Sequence, residues 1–328
     1  MRPPMKLKQV LRGRWMVDHR PVLCAGPVGA WDGGAVYTPQ IIRLPDGRYR
    51  MYYTGRSDIA NWAIGTAVSA DLFHWTKHPD PVLLSGEDWD HQIDFPWPIY
   101  ASGLYHIFFE AKRLISTPYP VDPVYGRWPG MTVYHMYTRS TGVATSADGI
   151  HFEKDPNPPI GPGAAGEWDG NGICASRVYP WGDGYGMYYA GSDSKVARTG
   201  LAFSKDLRHW TRYEHNPIMD VGGPGAWDSG STLFGSVVAL DDGYVGIYEG
   251  EDGQQMQLGL AYSEDRIHWT RFADNPIVRT EHSYQTHSTF VCAPLLVFHE
   301  GTLYLLYTHN APLDGKEARI EIAALAPG

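Results

Sequence analysis

The segment GLAFSKDLRHWT at residues 200–211 decides the fold, because related segments occur at residues 65–76, 142–153 and 259–270. In chain order, their first glycines are 77, 58 and 59 residues apart. One repeat is therefore about 58 residues long, and the second carries roughly 19 extra residues. Self-similarity at such a period is typical of propellers, solenoids and other repeat architectures.

Each repeat predicts four short strands. An Asp-Gly turn such as Asp183-Gly184 joins the first two strands, and the second strand alternates as in Tyr185–Tyr189. The Gly-x-Ala-x-Ser-x-Asp segment forms the third strand and its turn, and His-Trp-Thr begins the fourth. A Trp-Asp pair opens four of the repeats. The pairs are Trp31-Asp32, Trp89-Asp90, Trp168-Asp169 and Trp227-Asp228.

A fifth unit at the C-terminus lacks its fourth strand. The segment Arg14–Leu23 resembles the missing strand, so the N-terminus is expected to complete the last unit. We therefore predict an all-β fold, a five-bladed β-propeller with four antiparallel strands per blade and the last blade closed by the N-terminal strand. Because a ring has no internal boundary, residues 1–328 are predicted to form a single domain.

Composition excludes several classes of function. The net charge is −9 and no Lys/Arg-rich run exists, which argues against a nucleic-acid partner. No run of about 18 apolar residues predicts a membrane span. Cys24, Cys174 and Cys292 lack the spacing of a disulfide scaffold or zinc site, and no signal peptide is evident, which favours a reducing cytoplasm. No cofactor motif is present. The sequence does not disclose the oligomeric state.

Residues that break the repeat in one unit need a reason outside the fold. Glu110 and Glu249 follow the aromatic pair of the second strand, where a carboxyl in an aromatic-lined channel could act as a general acid. The other units have small or neutral residues there, namely Thr54, Ala190 and Thr308. The alternative for Glu110 is a salt bridge with Lys112 or Arg113.

Other candidates lie at the ends of the predicted first strands. Asp94 is a charge on an innermost strand and is expected to face the channel. Glu167 is the charged exception of its repeat, with simple exposure as the alternative. The Trp-Asp pairs are expected either to brace turns or to surround the channel mouth together with His287. A channel cation such as calcium near His287 is left open.

Residues 111–139 form an aromatic, proline-rich insert in the second repeat. Its position after a strand end predicts a lid over a pocket, and packing against another subunit is the alternative. Aromatic, cationic and acidic side chains around the mouth are expected to bind a small-molecule or oligosaccharide substrate. These candidates are Tyr37, Trp97, Arg113, Trp128, Asp169, Asp228 and His287.

Taken together, these motifs resemble the five-bladed propeller glycosidases: arabinanases and β-xylosidases, invertases and levansucrases, and mannoside phosphorylases. The resemblance spans nearly the whole chain. It rests on Trp-Asp, Asp-Gly-Tyr-x-Met-Tyr-Tyr and Gly-x-Ala-x-Ser-x-Asp-x-x-His-Trp-Thr. It implies that acids on the inner strands of successive blades act as nucleophile or base, as helper and as general acid. It also implies a channel histidine, for which His287 is the match.

The resemblance carries over to particular positions only in part. Asp32 is the nearest match to the first catalytic aspartate, although Thr38 precedes Pro39 where the family often has aspartate. Asp94, just ahead of Pro96, is the nearest match to the second acid, and no glutamate matches the third cleanly. The candidate catalytic residues are Asp32, Asp94, Glu110, Glu167 and Glu249.

The expected activity is cleavage or transfer of a glycosyl group by carboxylates in the channel. Two alternatives remain because a scaffold hosts many reactions. One is a lyase, isomerase or cyclase acting on a small metabolite. The other is a propeller that binds carbohydrate without catalysis.

Overall fold

The structure is a computed structural model that describes residues 5–57, 62–115, 136–193, 195–280, 290–310 and 318–326. Within these residues the chain is all-β apart from one short helix, α1 (Leu7–Arg12). No helix in the described part of the chain is long and apolar enough to cross a membrane. The first strand, β1 (Arg14–Leu23), follows α1 directly.

The remaining strands form four-stranded antiparallel units in chain order. Unit one contains β2 (Ala35–Arg43), β3 (Tyr49–Arg56), β4 (Trp62–Ser69) and β5 (Thr76–Lys77), with the short β6 (Leu83–Leu84) also paired to β4. Unit two contains β7 (Gln92–Ala101), β8 (Leu104–Ile115), β9 (Met136–Ser146) and β10 (Glu153–Lys154). Unit three contains β11 (Gly172–Trp181), β12 (Gly184–Ser192), β13 (Ala197–Ser204) and β14 (Thr211–Arg212).

The last two units complete the described chain. Unit four contains β15 (Ser231–Leu240), β16 (Gly243–Glu251), β17 (Met256–Ser263) and β18 (Thr270–Arg271). Unit five contains β19 (Phe290–His299), β20 (Thr302–Asn310) and β21 (Arg319–Ala326), and its fourth strand is β1. In that pairing Arg14 lies opposite Ala326 and Trp15 opposite Leu325. The predicted completion of the last unit by the N-terminal strand is therefore confirmed.

The first strands of the five units contact one another in sequence order. β2 contacts β7, β7 contacts β11, β11 contacts β15, β15 contacts β19, and β19 returns to β2. Apolar side chains fill the spaces between neighbouring units, as where Phe234 of unit four packs with Tyr188 of unit three. Side chains on the first strands are thereby brought together from units that are far apart in sequence.

The first strand of every unit carries a β-bulge at the same place. The register shifts fall between Tyr37 and Gln40, Asp94 and Trp97, Cys174 and Arg177, Phe234 and Ser236, and Cys292 and Leu295. In four units the bulge includes a non-glycine residue with a left-handed backbone. These are Thr38, Phe95, Ala175 and Ala293, with φ between 49° and 53°. A bulge releases backbone N–H groups from the ladder, so they can bind side chains instead.

The Ser-x-Asp-x-x-His motif forms one turn that four units share. In unit one, Asp71 accepts the backbone N–H groups of Phe73 and His74, and its second oxygen lies 2.7 Å from His74 Nδ1. These hydrogen bonds, chiefly those from His74, lower the pKa of Asp71. Equivalent bonds form at Asp148, Asp206 and Asp265. The turn motif therefore has the structural role predicted for it.

The Trp of each Trp-Asp pair packs against one or two glycines of its own unit. A Cβ at Gly191 would come 2.4 Å from Asp169 Cβ and 2.5 Å from Trp168 Cζ3, and the indole also covers Gly200. We expect Gly191→Ala to lower the free energy of unfolding by about 1–3 kcal/mol through overpacking. Gly223→Ala is the matched control, since a Cβ there meets nothing within 4 Å. Urea denaturation of both variants tests this, and equal stabilities would contradict the packing role of Trp168.

Candidate active site

Three buried carboxylates from two units lie within electrostatic reach of one another. Asp94 on β7 lies directly opposite Glu110 on β8, and Glu249 on β16 lies opposite Leu233 on β15. All three side chains are buried. Glu110 and Glu249 hold equivalent positions in their units, as the repeat predicted, since each pairs with a residue just before the bulge. The charges of both Asp94 and Glu110 act on Glu249.

Asp94 is held by unit one as well as by its own bulge. Its Oδ1 accepts hydrogen bonds from Thr54 Oγ1 at 2.7 Å, from the Phe95 backbone N–H at 2.7 Å and from Thr38 Oγ1 at 3.3 Å. Its Oδ2 lies 3.8 Å from Lys112 Nζ. Burial raises the pKa of Asp94, the Lys112 charge opposes this, and Glu110 reinforces it. The carboxyl is therefore fixed in position and shielded from water.

Two cations flank Glu110. Its Oε1 lies 3.6 Å from Lys112 Nζ and 3.3 Å from Arg139 Nε. Of the two salt bridges considered from the sequence, the one with Lys112 forms. Arg113 instead pairs with Asp88 at the surface, at 2.6 Å. Both carboxylates are therefore buried, and Lys112 lies between them as a shared cation.

Glu249 is a buried acid whose pKa lies near neutrality. Its Oε1 accepts a hydrogen bond of 2.9 Å from the backbone N–H of Ala293. The bulge of β19 frees this N–H from the ladder. Burial raises the pKa of Glu249 to about 7, although the Ala293 hydrogen bond and the charge of Arg177 lower it. A carboxyl with such a pKa can both donate and accept a proton at neutral pH.

Tyr37, Arg56 and Trp62 form an aromatic and cationic cluster beside Asp94. The rings of Tyr37 and Trp62 stack with centroids 5.7 Å apart, and the Arg56 guanidinium carbon lies 5.6 Å from each centroid. Lys112 Nζ lies 5.3 Å from the Trp62 centroid, which connects this cluster to the carboxylates. Burial raises the pKa of Tyr37 to about 12, so the phenol stays neutral.

Sequence reasoning missed Arg56, Trp62 and Arg139. A signal for them exists two residues beyond the glutamate position, where Arg56 and Lys112 are basic but Ser192 and Asn310 are not. Arg56 pairs with Trp62 in the ladder, and Lys112 pairs with Arg139. A comparison of the repeats that extended two residues past the glutamate position would have singled out Arg56 and Lys112.

The aspartates of the Trp-Asp pairs are bound inside their own units. Asp32 accepts Tyr53 Oη at 3.1 Å and Lys77 Nζ at 2.5 Å. Tyr and Arg make the same bonds to Asp169 and Asp228, and Lys154 binds Asp90. These contacts support the bracing alternative, because each buried carboxylate binds a tyrosine of the second strand, a cation of the fourth, or both. Asp32, Asp169 and Asp228 belong to these braces and lie outside the carboxylate cluster.

Unit five forms a comparable brace from different residues. Glu321 accepts Tyr307 Oη at 2.8 Å and Arg319 Nε at 2.8 Å, and it lies 2.9 Å from His309 Nδ1. Burial alone would raise the pKa of Glu321, but the bonds with His309 and Arg319 lower it to about 2. Glu321 was not a candidate from the sequence, because no Trp-Asp motif marks it.

The remaining sequence candidates lie apart from the cluster. Glu167 is exposed in a turn between Ala164 and Gly170. This agrees with simple exposure, the alternative that the sequence left open for it. Trp97 packs in the core, where its Nε1 donates to the Val178 carbonyl oxygen at 2.7 Å. Trp128, His287 and most of the insert at 111–139 lie outside the described residues. Among the residues that the structure does describe, no group of three or more His, Cys, Asp and Glu side chains is arranged to hold a metal ion.

Comparison with solved structures identifies the same fold in three glycoside hydrolase families. One is a structure from the family-130 mannoside phosphorylases, described as containing glycoside hydrolases that target β-1,2 mannosidic linkages in Candida mannan. It is 17% identical, with 99% of this chain and 97% of that chain covered and a TM-score of 0.70. A Bombyx mori family-32 β-fructofuranosidase is 15% identical, with 97% and 63% covered and a TM-score of 0.65. A thermostable family-43 glycoside hydrolase is 15% identical, with 92% of each chain covered and a TM-score of 0.61.

Comparison of the sequence itself with family models gives a match over residues 123–325, to glycoside hydrolase family 130, described as beta-1,4-mannooligosaccharide phosphorylase. No curated protein sequence matches the chain. The matched segment covers well over half of the 328 residues and includes Arg139, Arg177 and Glu249. The resemblance to propeller glycosidases and mannoside phosphorylases is thereby confirmed. The chain belongs to glycoside hydrolase family 130 and is an enzyme of the glycosidase type.

Proposed function

We propose that this chain is a five-bladed β-propeller that cleaves or transfers a glycosyl group of a mannose-containing oligosaccharide at Asp94, Glu110 and Glu249. The blade count is supported by the five four-stranded units and by the order in which their first strands contact one another. The substrate class is suggested by the family description. The observation that carries the proposal is the convergence of three buried carboxylates with unlike surroundings.

Glycosyl chemistry needs one acid that can release a proton and one carboxylate that stays charged. Glu249 suits the first role, because a pKa of about 7 leaves a large protonated fraction at neutral pH. Glu110 suits the second role, because Lys112 and Arg139 balance its negative charge. It would stabilise the positive charge that develops on the sugar or orient the attacking group. Asp94 would hold Lys112 and set the local charge.

The described surroundings also suit an oligosaccharide. Trp62 is partly exposed and stacks on the buried Tyr37, so it offers rigid apolar surface of the kind on which sugar rings pack. Arg56 and Lys112 lie next to those rings and supply donors for hydroxyl or anionic oxygens. A lyase or isomerase built around a single acid would not need this set of three. The carboxylates therefore favour glycosyl chemistry over rearrangement of a small metabolite or binding alone.

Turnover of aryl mannosides and mannooligosaccharides, each with and without inorganic phosphate, tests the proposal. We expect Asp94→Asn to lower kcat/KM by about 100-fold or more, because the proton balance of the cluster changes. Cleavage without phosphate, with water on the released glycosyl group, would identify hydrolysis. A sugar 1-phosphate formed together with the shortened sugar or phenol, and only when phosphate is present, would identify phosphorolysis.

Asp90→Asn is the matched control, since Asp90 is a buried aspartate of the same unit that Lys154 binds outside the cluster. Aryl arabinofuranosides, xylosides and fructosides extend the panel. The proposal fails if no glycoside in the panel is turned over, or if Asp90→Asn and Asp94→Asn cause equal losses at a temperature where both variants are folded.

A further inference from the structure

Arg177 is the largest fully buried side chain of the described core, and it belongs to β11 in unit three. Its Nε donates to the Gly235 carbonyl oxygen at 2.7 Å, and its Nη1 donates to that of Ser176 at 3.3 Å. Its guanidinium carbon lies 5.4 Å from the ring centroids of both Phe95 and Trp97. Aromatic rings and the backbone of a neighbouring unit therefore fix its position.

Within the part of the chain that the structure describes, the charge of Arg177 has no direct ionic partner. Among the ion pairs of the described residues, none includes Arg177, and its Nη2 is buried without a hydrogen-bond acceptor. A buried cation without a counter-charge is strongly disfavoured. The acids whose charges act on it are Glu249 and Asp94, with Tyr179 and Cys174 as further titratable neighbours. Phe95, on which the Arg177 guanidinium packs, also donates its N–H to Asp94, so the guanidinium lies next to the bulge that holds the carboxylate cluster.

The residue type is particular to this unit. The positions that follow the bulge in the other four units hold Gln40, Trp97, Ser236 and Leu295. Four units thus fold with a neutral residue at this place. The packing of the bulge does not require an arginine, so its charge calls for another reason.

We propose that Arg177 is a positioning residue of the carboxylate cluster, whose fixed charge keeps one acid of the cluster ionised while another retains a proton. The inference rests on the proposed function of Asp94, Glu110 and Glu249. Arg177 acts through Glu249 and does not contact substrate itself. The position of the charge determines which pH range leaves the cluster singly protonated.

Groups on four other strands contribute to this balance, while the strands paired with β16 place Leu233 and Leu258 opposite Glu249. Arg177 on β11 favours its ionised form, and Asp94 on β7 and Glu110 on β8 oppose it. From β19, the Ala293 N–H favours the ionised form, while the buried Cys292 thiol is held neutral partly by the charge of Glu249. Arg177 is the cation among these groups. Its removal should therefore raise the pKa of Glu249, whereas removal of either neighbouring acid should lower it.

Carbon-13 NMR titration of the Glu249 carboxyl tests the inference in the absence of any substrate. We expect Arg177→Met to raise the midpoint of this titration by about 1 pH unit or more, the usual effect of losing a nearby opposite charge. Arg177→Lys should restore most of the wild-type midpoint because it keeps the charge. Arg198→Met is the matched control, since Arg198 lies in the same unit but pairs with Asp193 and Asp220. An unchanged midpoint in Arg177→Met would overturn the inference.

A second measurement covers the case in which Arg177→Met does not fold. At a pH above the raised midpoint, the variant leaves an ionised Glu249 buried without its cation, so Arg177→Met should be less destabilising in a Glu249→Gln background. Such coupling in a double-mutant cycle supports the inference, whereas equal losses in both backgrounds overturn it. Because neither readout uses turnover, an inactive wild-type protein with a shifted Glu249 titration would reject the proposed function alone.

Discussion

Glu249→Gln is expected to lower turnover by about 100-fold or more while leaving the fold intact. The loss follows because general acid–base catalysis contributes about 10²–10⁴ in rate, and an amide cannot deliver the proton. The fold should persist because the amide oxygen of glutamine can still accept the Ala293 N–H. Comparing kcat/KM for the best substrate of the panel with the melting temperature of the variant measures both expectations.

The same substitution should stabilise the protein at alkaline pH. The folded state raises the pKa of Glu249 from 4.5 to about 7, so folding favours the protonated form. Stability from this group is fully present below pH 4.5 and is lost as the pH rises through 7. The loss is on the order of 3 kcal/mol, from about 1.4 kcal/mol per pKa unit. Since glutamine stays neutral, the variant should exceed the wild type in stability at pH 8 and match it near pH 4.

Denaturant unfolding of both proteins at several pH values measures this difference. Glu264→Gln is a suitable control, because Glu264 is an exposed glutamate of the same unit and its replacement should change stability little at any pH. A variant that is equally or less stable than wild type at pH 8 would show that Glu249 is already ionised there at no cost. It would also remove Glu249 as the proton donor.

Arg271→Met is expected to have the largest effect on stability. Arg271 Nε donates to Asp228 at 2.8 Å, and removing it leaves the buried carboxylate with Tyr248 Oη as its remaining side-chain donor in unit four. Breaking a buried ion pair from one side costs about 3–5 kcal/mol, and the partial exposure of Arg271 places the expectation near the lower end. Thermal and urea unfolding measure the loss.

A double-mutant cycle separates the brace from a substrate-binding role. Asp228→Asn should recover part of the stability lost in Arg271→Met, since the amide needs no counter-charge. If Asp228 instead contacts substrate, Asp228→Asn should raise KM without a matching loss of stability. The corresponding cycle with Asp32 and Lys77 tests the catalytic candidate of unit one in the same way.

The architecture could be predicted from the sequence because it is encoded locally. Strand alternation, Asp-Gly turns and the Ser-x-Asp-x-x-His turn depend on residues a few positions apart, and the repeat of about 58 residues displays them several times. The same internal comparison predicted that β1 completes unit five. It also placed Glu110 and Glu249 at equivalent positions, which the strand register confirms.

Only the tertiary structure decided what each candidate contacts. Asp32 is bound by Lys77, which lies 45 residues away in the chain, and Asp94 accepts a hydrogen bond from Thr54 across a unit boundary. The pKa of Glu249 depends on burial, on an N–H from unit five and on Arg177 from unit three. Electrostatic energies depend on distance in space and on exclusion of water, and neither is periodic along the chain. The sequence by itself therefore determined the repeating units and their order. The packing of those units against one another determined which acids are paired, which are buried and which can hold a proton at neutral pH.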